Sequence, residues 1–178
     1  MTDLNLIIAD RFTEHLEVFG KTMEHMDTIQ EIAYRCKSAL ENGNKILFCG
    51  NGGSAADSQH LAAELIGRFK KERRSLASIA LTTDTSILTA VANDYDYDAV
   101  FARQVEGLGR SGDVLIGIST SGNSKNVVKA VEMARNTGMH TIAFTGEGGG
   151  KLAELCDLTL AIPSTVTARI QEMHILAG

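Results

Sequence analysis

Hydrophobic and polar positions along this chain switch between a helical period and short continuous apolar runs. Residues 3–42 hold apolar positions at helical spacing (Ile29, Ile32, Ala33, Cys36, Ala39, Leu40), with Gly20 inside and no Pro. This predicts a short helix and then a long one ending at "ENGN", where Gly43 suits a helix C-terminus. "KILFCG" (45–50) is uniformly apolar, the signature of a strand buried on both faces. A helix over about 54–70 follows, then a second strand, "LASIAL" (76–81), and helical segments through 85–107. "DVLIGIS" (113–119) is a third strand, with a helix over 124–136; "HTIAFTG" (140–146) is a fourth, with a glycine-rich turn and short helix. "LTLAIP" (158–163) is the fifth strand, and "TARIQEMHILAG" begins the last helix.

Strands alternating with helices define an α/β fold, a parallel sheet covered on both faces by right-handed crossovers. No linker or low-complexity segment interrupts the pattern. The expected organisation is one domain over 1–178, a helical segment at 1–43 and an α/β core at 44–178. Ligands of such sheets sit at the carboxyl ends of the strands, near the switch in strand order. Three turns there are rich in small polar residues: "GNGGSA", "TTDTS" and "STSGNS".

Composition narrows the possibilities. With 44% hydrophobic and only 5% aromatic residues, the core must rest on Ala, Leu, Ile and Val. A net charge of -5 argues against a nucleic-acid partner, and the basic run "RFKKERR" (68–74) is expected to be a solvated helix end. Cys36, Cys49 and Cys156 form neither a disulfide framework nor a metal motif. With no signal-peptide pattern and no membrane-length apolar run, a cytoplasmic location away from membranes is expected.

The "GNGGS" turn permits close backbone approach and presents helix-start amides to an anion; alternatively it is a plain corner capped by Ser54. It has neither dinucleotide-fingerprint nor P-loop spacing. In "ISTSGNS" the hydroxyls of Ser119, Thr120, Ser121 and Ser124 exceed what capping requires, and they suit a phosphate dianion. Lys125 beside them is expected at the surface. His60 and Glu64, at i and i+4, share one helix face bordered by Ala56 and Ala63, with Leu61, Leu65, Ile66 and Phe69 on the greasy side. They are either an exposed pair, a proton-transfer couple or ligands of one metal. Asn93 and Asp94 read as a turn, and Asp84 with Thr85 as a helix cap. Gln171 and His174 share a face of the last helix.

"CGNGGSAADSQHLAAELIGRF", "ALTTDTS", "VANDY", "GISTSGNSKNV" and "TARIQEMHIL" occur together and in order. The chain thereby resembles the phosphoheptose isomerase family, single sugar-isomerase (SIS) domains. The resemblance implies a three-layer sandwich with a five-stranded parallel sheet, assembled as a homotetramer with sites between subunits. It implies conversion of sedoheptulose 7-phosphate to D-glycero-D-manno-heptose 7-phosphate for lipopolysaccharide or surface glycans. Carried over, Asn51, Gly52, Gly53 and Ser54 line the substrate, Asn93 and Asp94 contact the sugar, and Ser119, Thr120, Ser121 and Ser124 hold its phosphate. Glu64 is the base and, with His60 and Gln171, a ligand of one zinc per subunit. Two departures stand out. Asp96 follows "NDY" where the family usually has Gly, and the family's second acid/base His falls just past Gly178. Taken literally, the chain is expected to be a weak or inactive isomerase. The competing expectation is a non-catalytic relative that senses sugar phosphates or binds a replication-initiator partner; it would not need Glu64.

Overall fold

The computed structural model describes residues 3–178. Helices α1 (Leu4–Thr22) and α2 (Met26–Glu41) open it, joined by a 3-10 turn at Met23–His25. The first is the longer, the reverse of the expected order. The helix runs on through Gly20, and the break comes at the 3-10 turn beyond it. Gly43 does close α2, in the left-handed region at φ +81°.

The remainder alternates as β1 (Ile46–Gly50), α3 (Gly53–Ile66), β2 (Ser78–Ala80), α4 (Thr85–Asp94), α5 (Ala102–Leu108), β3 (Val114–Ser119), α6 (Lys125–Asn136), β4 (His140–Thr145), α7 (Gly150–Leu155), β5 (Leu158–Ala161) and α8 (Thr167–Ala177). Asp84 caps α4 as expected, its carboxylate accepting from the Ile87 amide at 2.9 Å. The helix expected to reach residue 70 stops at Ile66, so "RFKKERR" is a loop and not a helix end. Arg73 from that loop folds back onto the helix terminus. Its guanidinium donates to the carbonyls of Glu64 (2.8 Å) and Leu65 (3.0 Å), which have no partner within the helix; the Leu76 amide also donates to the Leu65 carbonyl at 3.0 Å.

All five strands are parallel, in the order β2-β1-β3-β4-β5. Their side chains alternate between two cores. Ile46, Phe48, Ile116 and Phe144 face one side, where Ile32, Leu61, Ile170 and Met173 from α2, α3 and α8 cover them. Leu47, Cys49, Leu115 and Ala143 face the other, against Phe101, Val105, Val127 and Val131 near and within α5 and α6. The three layers follow from that alternation. Arg169 of α8, 8% exposed, donates to Glu172 Oε1 and to the Arg11 carbonyl, each at 2.5 Å, and His15 meets Glu172 at 2.7 Å; together they fasten α1 to α8.

Strand order reverses between β1 and β3, where Gly50 lies level with Ile118. The turns leaving these two strands therefore emerge side by side at the carboxyl edge.

Candidate active site

The first turn brings two distant predicted residues together. A Cβ on Gly53 would lie 2.5 Å from Nε2 of Gln171, so α8 lays its glutamine across the head of α3 where only glycine leaves room. Ser54 does not cap the helix: Gly52 holds the cap position at φ +58°, no side chain caps it, and Ser54 is buried in the first turn. Asn51 is engaged by two side chains absent from the sequence reading. Its amide exchanges hydrogen bonds with Asn126 (2.8 and 2.9 Å), and its Oδ1 accepts from the Tyr97 hydroxyl at 3.2 Å.

In the second turn the hydroxyls converge. Ser119 Oγ lies 2.8 Å from Ser124 Oγ and 3.4 Å from Ser121 Oγ. Ser124 holds the cap position of α6, yet its side chain makes no capping bond; the Val127 amide is taken by Asn126 Oδ1 at 3.0 Å, and the amides before it are left to an external acceptor. Gly122 (φ +66°) lets this turn press against the Gly149 carbonyl, where a Cβ would overlap it. Thr120 and Ser121 also line a cavity of about 230 Å³ with Glu147, Ser164, Thr165 and Thr167. The sequence reading missed this last group, although "PSTVT" after the fifth strand is as hydroxyl-rich as the turn it did single out.

His60 and Glu64 stand together on α3, Nε2 to Oε1 at 3.6 Å, with side chains 60% and 36% exposed. They border a cleft of about 680 Å³ between α2, α3 and the last turn of α8, with largely apolar walls including Ile32, Leu61 and Leu65. Ile66 and Phe69, expected on the buried side of this helix, are exposed: Ile66 is its last residue, and Phe69 lies beyond its end. One turn before His60, burial raises the pKa of Asp57, against the opposing pull of the imidazole, and its Oδ2 has no protein partner.

An imidazole nitrogen and a carboxylate oxygen at this spacing suit adjacent positions around one zinc ion. Gln171 of the same chain does not complete that set. Its amide lies at Gly53, eleven positions before Glu64, which is ~16 Å along a helix. Among the described residues no group of three or more His, Cys, Asp and Glu side chains could hold a metal. His174, which shares a face with Gln171 in sequence, is core: it is 1% exposed, tilted against Phe144, with Nε2 3.0 Å from the Thr145 carbonyl.

Asn93 and Asp94 end α4 instead of forming a separate turn; Asn93 donates to the Asp94 carboxylate at 2.9 Å, both exposed. Asp96 adopts extended backbone (φ -161°), so the residue replacing the family's usual Gly meets no strain, and Lys129 of α6 lies 3.4 Å from its carboxylate. Lys125 is exposed, as expected.

The comparisons with known proteins agree with this architecture. The SIS domain family model matches residues 10–146. A phosphoheptose isomerase of Aliarcobacter butzleri is 59% identical over 170 residues, 95% of this chain and 90% of that protein. The structure of the phosphoheptose isomerase from Neisseria gonorrhoeae superposes with a TM-score of 0.94 at 49% identity, covering 98% of this chain and 94% of that one. The one from Francisella tularensis gives 0.95 at 40% identity, covering 99% and 94%. A five-stranded parallel sheet in this order, a hydroxyl-lined turn beside a glycine turn, and agreement of this extent over nearly the whole chain lead to one assignment: the chain belongs to the phosphoheptose isomerase family of SIS-domain proteins.

Proposed function

We propose that the protein interconverts sedoheptulose 7-phosphate and D-glycero-D-manno-heptose 7-phosphate, an aldose–ketose isomerisation that supplies heptose for lipopolysaccharide or surface glycans. In this reading it works in the cytoplasm as a homotetramer, with one zinc held in each site. The observation that carries the reading is the solvent-reachable carboxylate–imidazole pair, Glu64 and His60 at 3.6 Å, in a chain 59% identical to a phosphoheptose isomerase. A protein that only senses sugar phosphates has no use for such a pair beside its cleft.

The chemistry moves one proton from C1 to C2 through an enediol and another from O1 to O2. The hydroxyls of Ser119, Thr120, Ser121 and Ser124, with the open amides of α6, would grip the distal phosphate without a cationic side chain. That grip fixes the reacting carbons at a set distance from the cup, so that C–H abstraction becomes a positioned, effectively unimolecular step. Asn51, Gly52, Gly53 and Ser54 would line the chain of hydroxyls, and Asn93 with Asp94 would meet the sugar from α4. Glu64 is assigned the carbon-bound proton, taking it from C1 and returning it at C2. Zinc, when bound, stabilises the negative charge that develops on the enediolate oxygens. His60 and Glu64 would hold it together with Gln171. Because Gln171 in one chain packs at the opposite end of α3 from Glu64, the third ligand is assigned to a second copy, which agrees with sites shared between subunits.

The test is direct. Incubated with sedoheptulose 7-phosphate in deuterated water, the protein should generate aldose with deuterium at C2, followed by NMR. Binding without turnover or exchange would reduce the protein to a sugar-phosphate sensor.

A further inference from the structure

Three segments that carry candidate-site residues meet at one atom, Asn51 Oδ1. It accepts from Asn126 Nδ2 on α6 and from the Tyr97 hydroxyl in the 3-10 turn after α4. Asn126 returns the bond, its Oδ1 accepting from Asn51 Nδ2 at 2.9 Å and also from the Val127 amide at 3.0 Å. A backbone amide can only donate, so the atom it meets on Asn126 must be the oxygen. That sets the sense of the reciprocal pair and turns the Asn51 carbonyl toward Tyr97. Asn126 is 3% exposed, so water competes poorly for these bonds.

We propose that Asn126, assisted by Tyr97, is a positioning residue of this site: through Asn51 it holds the head of α3 in register with the hydroxyl cup at the head of α6. The proposal rests on the isomerase reading of the two turns. Each turn is built from its own backbone and hydroxyls and would persist without the link; what the link sets is their separation. A sugar phosphate spans both turns, whereas inorganic phosphate occupies the cup alone. The pair also consumes the Asn51 carbonyl, leaving that residue one amide hydrogen to offer a substrate.

A capping role for Asn126 needs only an acceptor for the Val127 amide. Asn126→Asp keeps that acceptor and keeps the bond from Asn51 Nδ2, but it removes the donor to Asn51 Oδ1. Tyr97→Phe removes one exposed hydroxyl and leaves the core untouched. Calorimetric titration with inorganic phosphate and with sedoheptulose 7-phosphate gives the affinity advantage of the sugar for each protein. We expect that advantage to fall at least tenfold in Asn126→Asp and about threefold in Tyr97→Phe, with turnover falling alongside. The added charge in Asn126→Asp weakens both anions together and cancels in the ratio. An unchanged ratio overturns the proposal, including the case where both affinities fall in step because the cup itself is damaged. If Asn126→Asp does not fold, Tyr97→Phe alone decides. A wild-type protein that prefers the sugar but never turns it over sinks the isomerase reading while the ratio still tests the link; one with no preference overturns both.

Discussion

Glu64 makes one polar side-chain contact, the 3.6 Å approach to His60, and its side chain is 36% exposed. Such a residue adds little to stability, since exposed pairs contribute at most about 1 kcal/mol. Glu64→Gln should therefore lower turnover by roughly 10²- to 10⁴-fold, the range for a removed general base, while the urea midpoint stays put. Parallel loss of both would make Glu64 a structural residue. His174 is the opposite case, buried and away from any acid–base work. Burial pushes its pKa down to about 4, below the ordinary 6.5. Between those two values the unfolded chain binds a proton that the folded one refuses, so this contribution is intact above pH 6.5 and is lost as pH falls toward 4. The loss amounts to about 3 kcal/mol. His174→Gln should flatten the pH dependence of the urea midpoint over that interval by about one proton; an identical slope would mean that His174 titrates normally. The hydroxyl cup was legible in the sequence because four hydroxyls in six residues exceed any local need. Asn126 was not, although it lies in the same motif, because an asparagine in a first helical turn looks like a cap until its partner across the sheet edge is known.

At the scale of elements, the strands were the clearest feature, since a six-residue apolar run such as Val114–Ser119, bounded by turn residues, is too short for a helix and suits a strand buried on both faces. Helix ends were less clear. The stop of α3 at Gly67 depends on Arg73, six residues further on, reaching back to the Glu64 and Leu65 carbonyls, and no local pattern announces that contact. It matters because Glu64 sits in that last turn. Replacing Arg73 by Ala leaves the Glu64 carbonyl to water and the Leu65 carbonyl with the Leu76 amide alone, and should cost about 1–2 kcal/mol, with faster amide hydrogen exchange confined to the end of α3. Arg73→Lys should recover less than half, because one ammonium cannot match a planar fork of donors. If Ala is neutral in both measurements, the loop merely rests on the helix. The relative lengths of α1 and α2 were reversed for a related reason: the long reach of α1 is fastened to α8 at Arg11 and His15, a contact distant in sequence, while an interior glycine costs a helix only about 1 kcal/mol.

At the scale of the whole molecule, two observations point outward from the single chain. Helix α1 turns Leu4, Ile8, Phe12 and Leu16, spaced by four, to solvent at 71%, 54%, 69% and 65% exposure, a continuous apolar stripe of the kind that marks an association surface. Separately, the proposed zinc ligands do not meet within one chain: Gln171 packs at Gly53, while His60 and Glu64 lie further along the same helix. A homotetramer with shared sites would account for both. Sedimentation should then give a tetrameric mass, and Phe12→Asp combined with Leu16→Asp should yield smaller species with unchanged far-ultraviolet circular dichroism. Those species should lose turnover at least 100-fold although Glu64 and the cup are intact. Dissociation alone does not show that a site is shared, so the decisive step is complementation. Glu64→Gln and Gln171→Ala subunits, each inactive by itself, are unfolded together and refolded. If one copy supplies Glu64 and a neighbour supplies Gln171, some sites in the mixed assembly receive both wild-type residues, and activity should return to roughly a quarter of wild type or less, as expected from statistical mixing of subunits. Mixed assemblies as dead as their parents would place the whole site within one chain, and would require Gln171 to leave Gly53 and travel along α3 to reach Glu64.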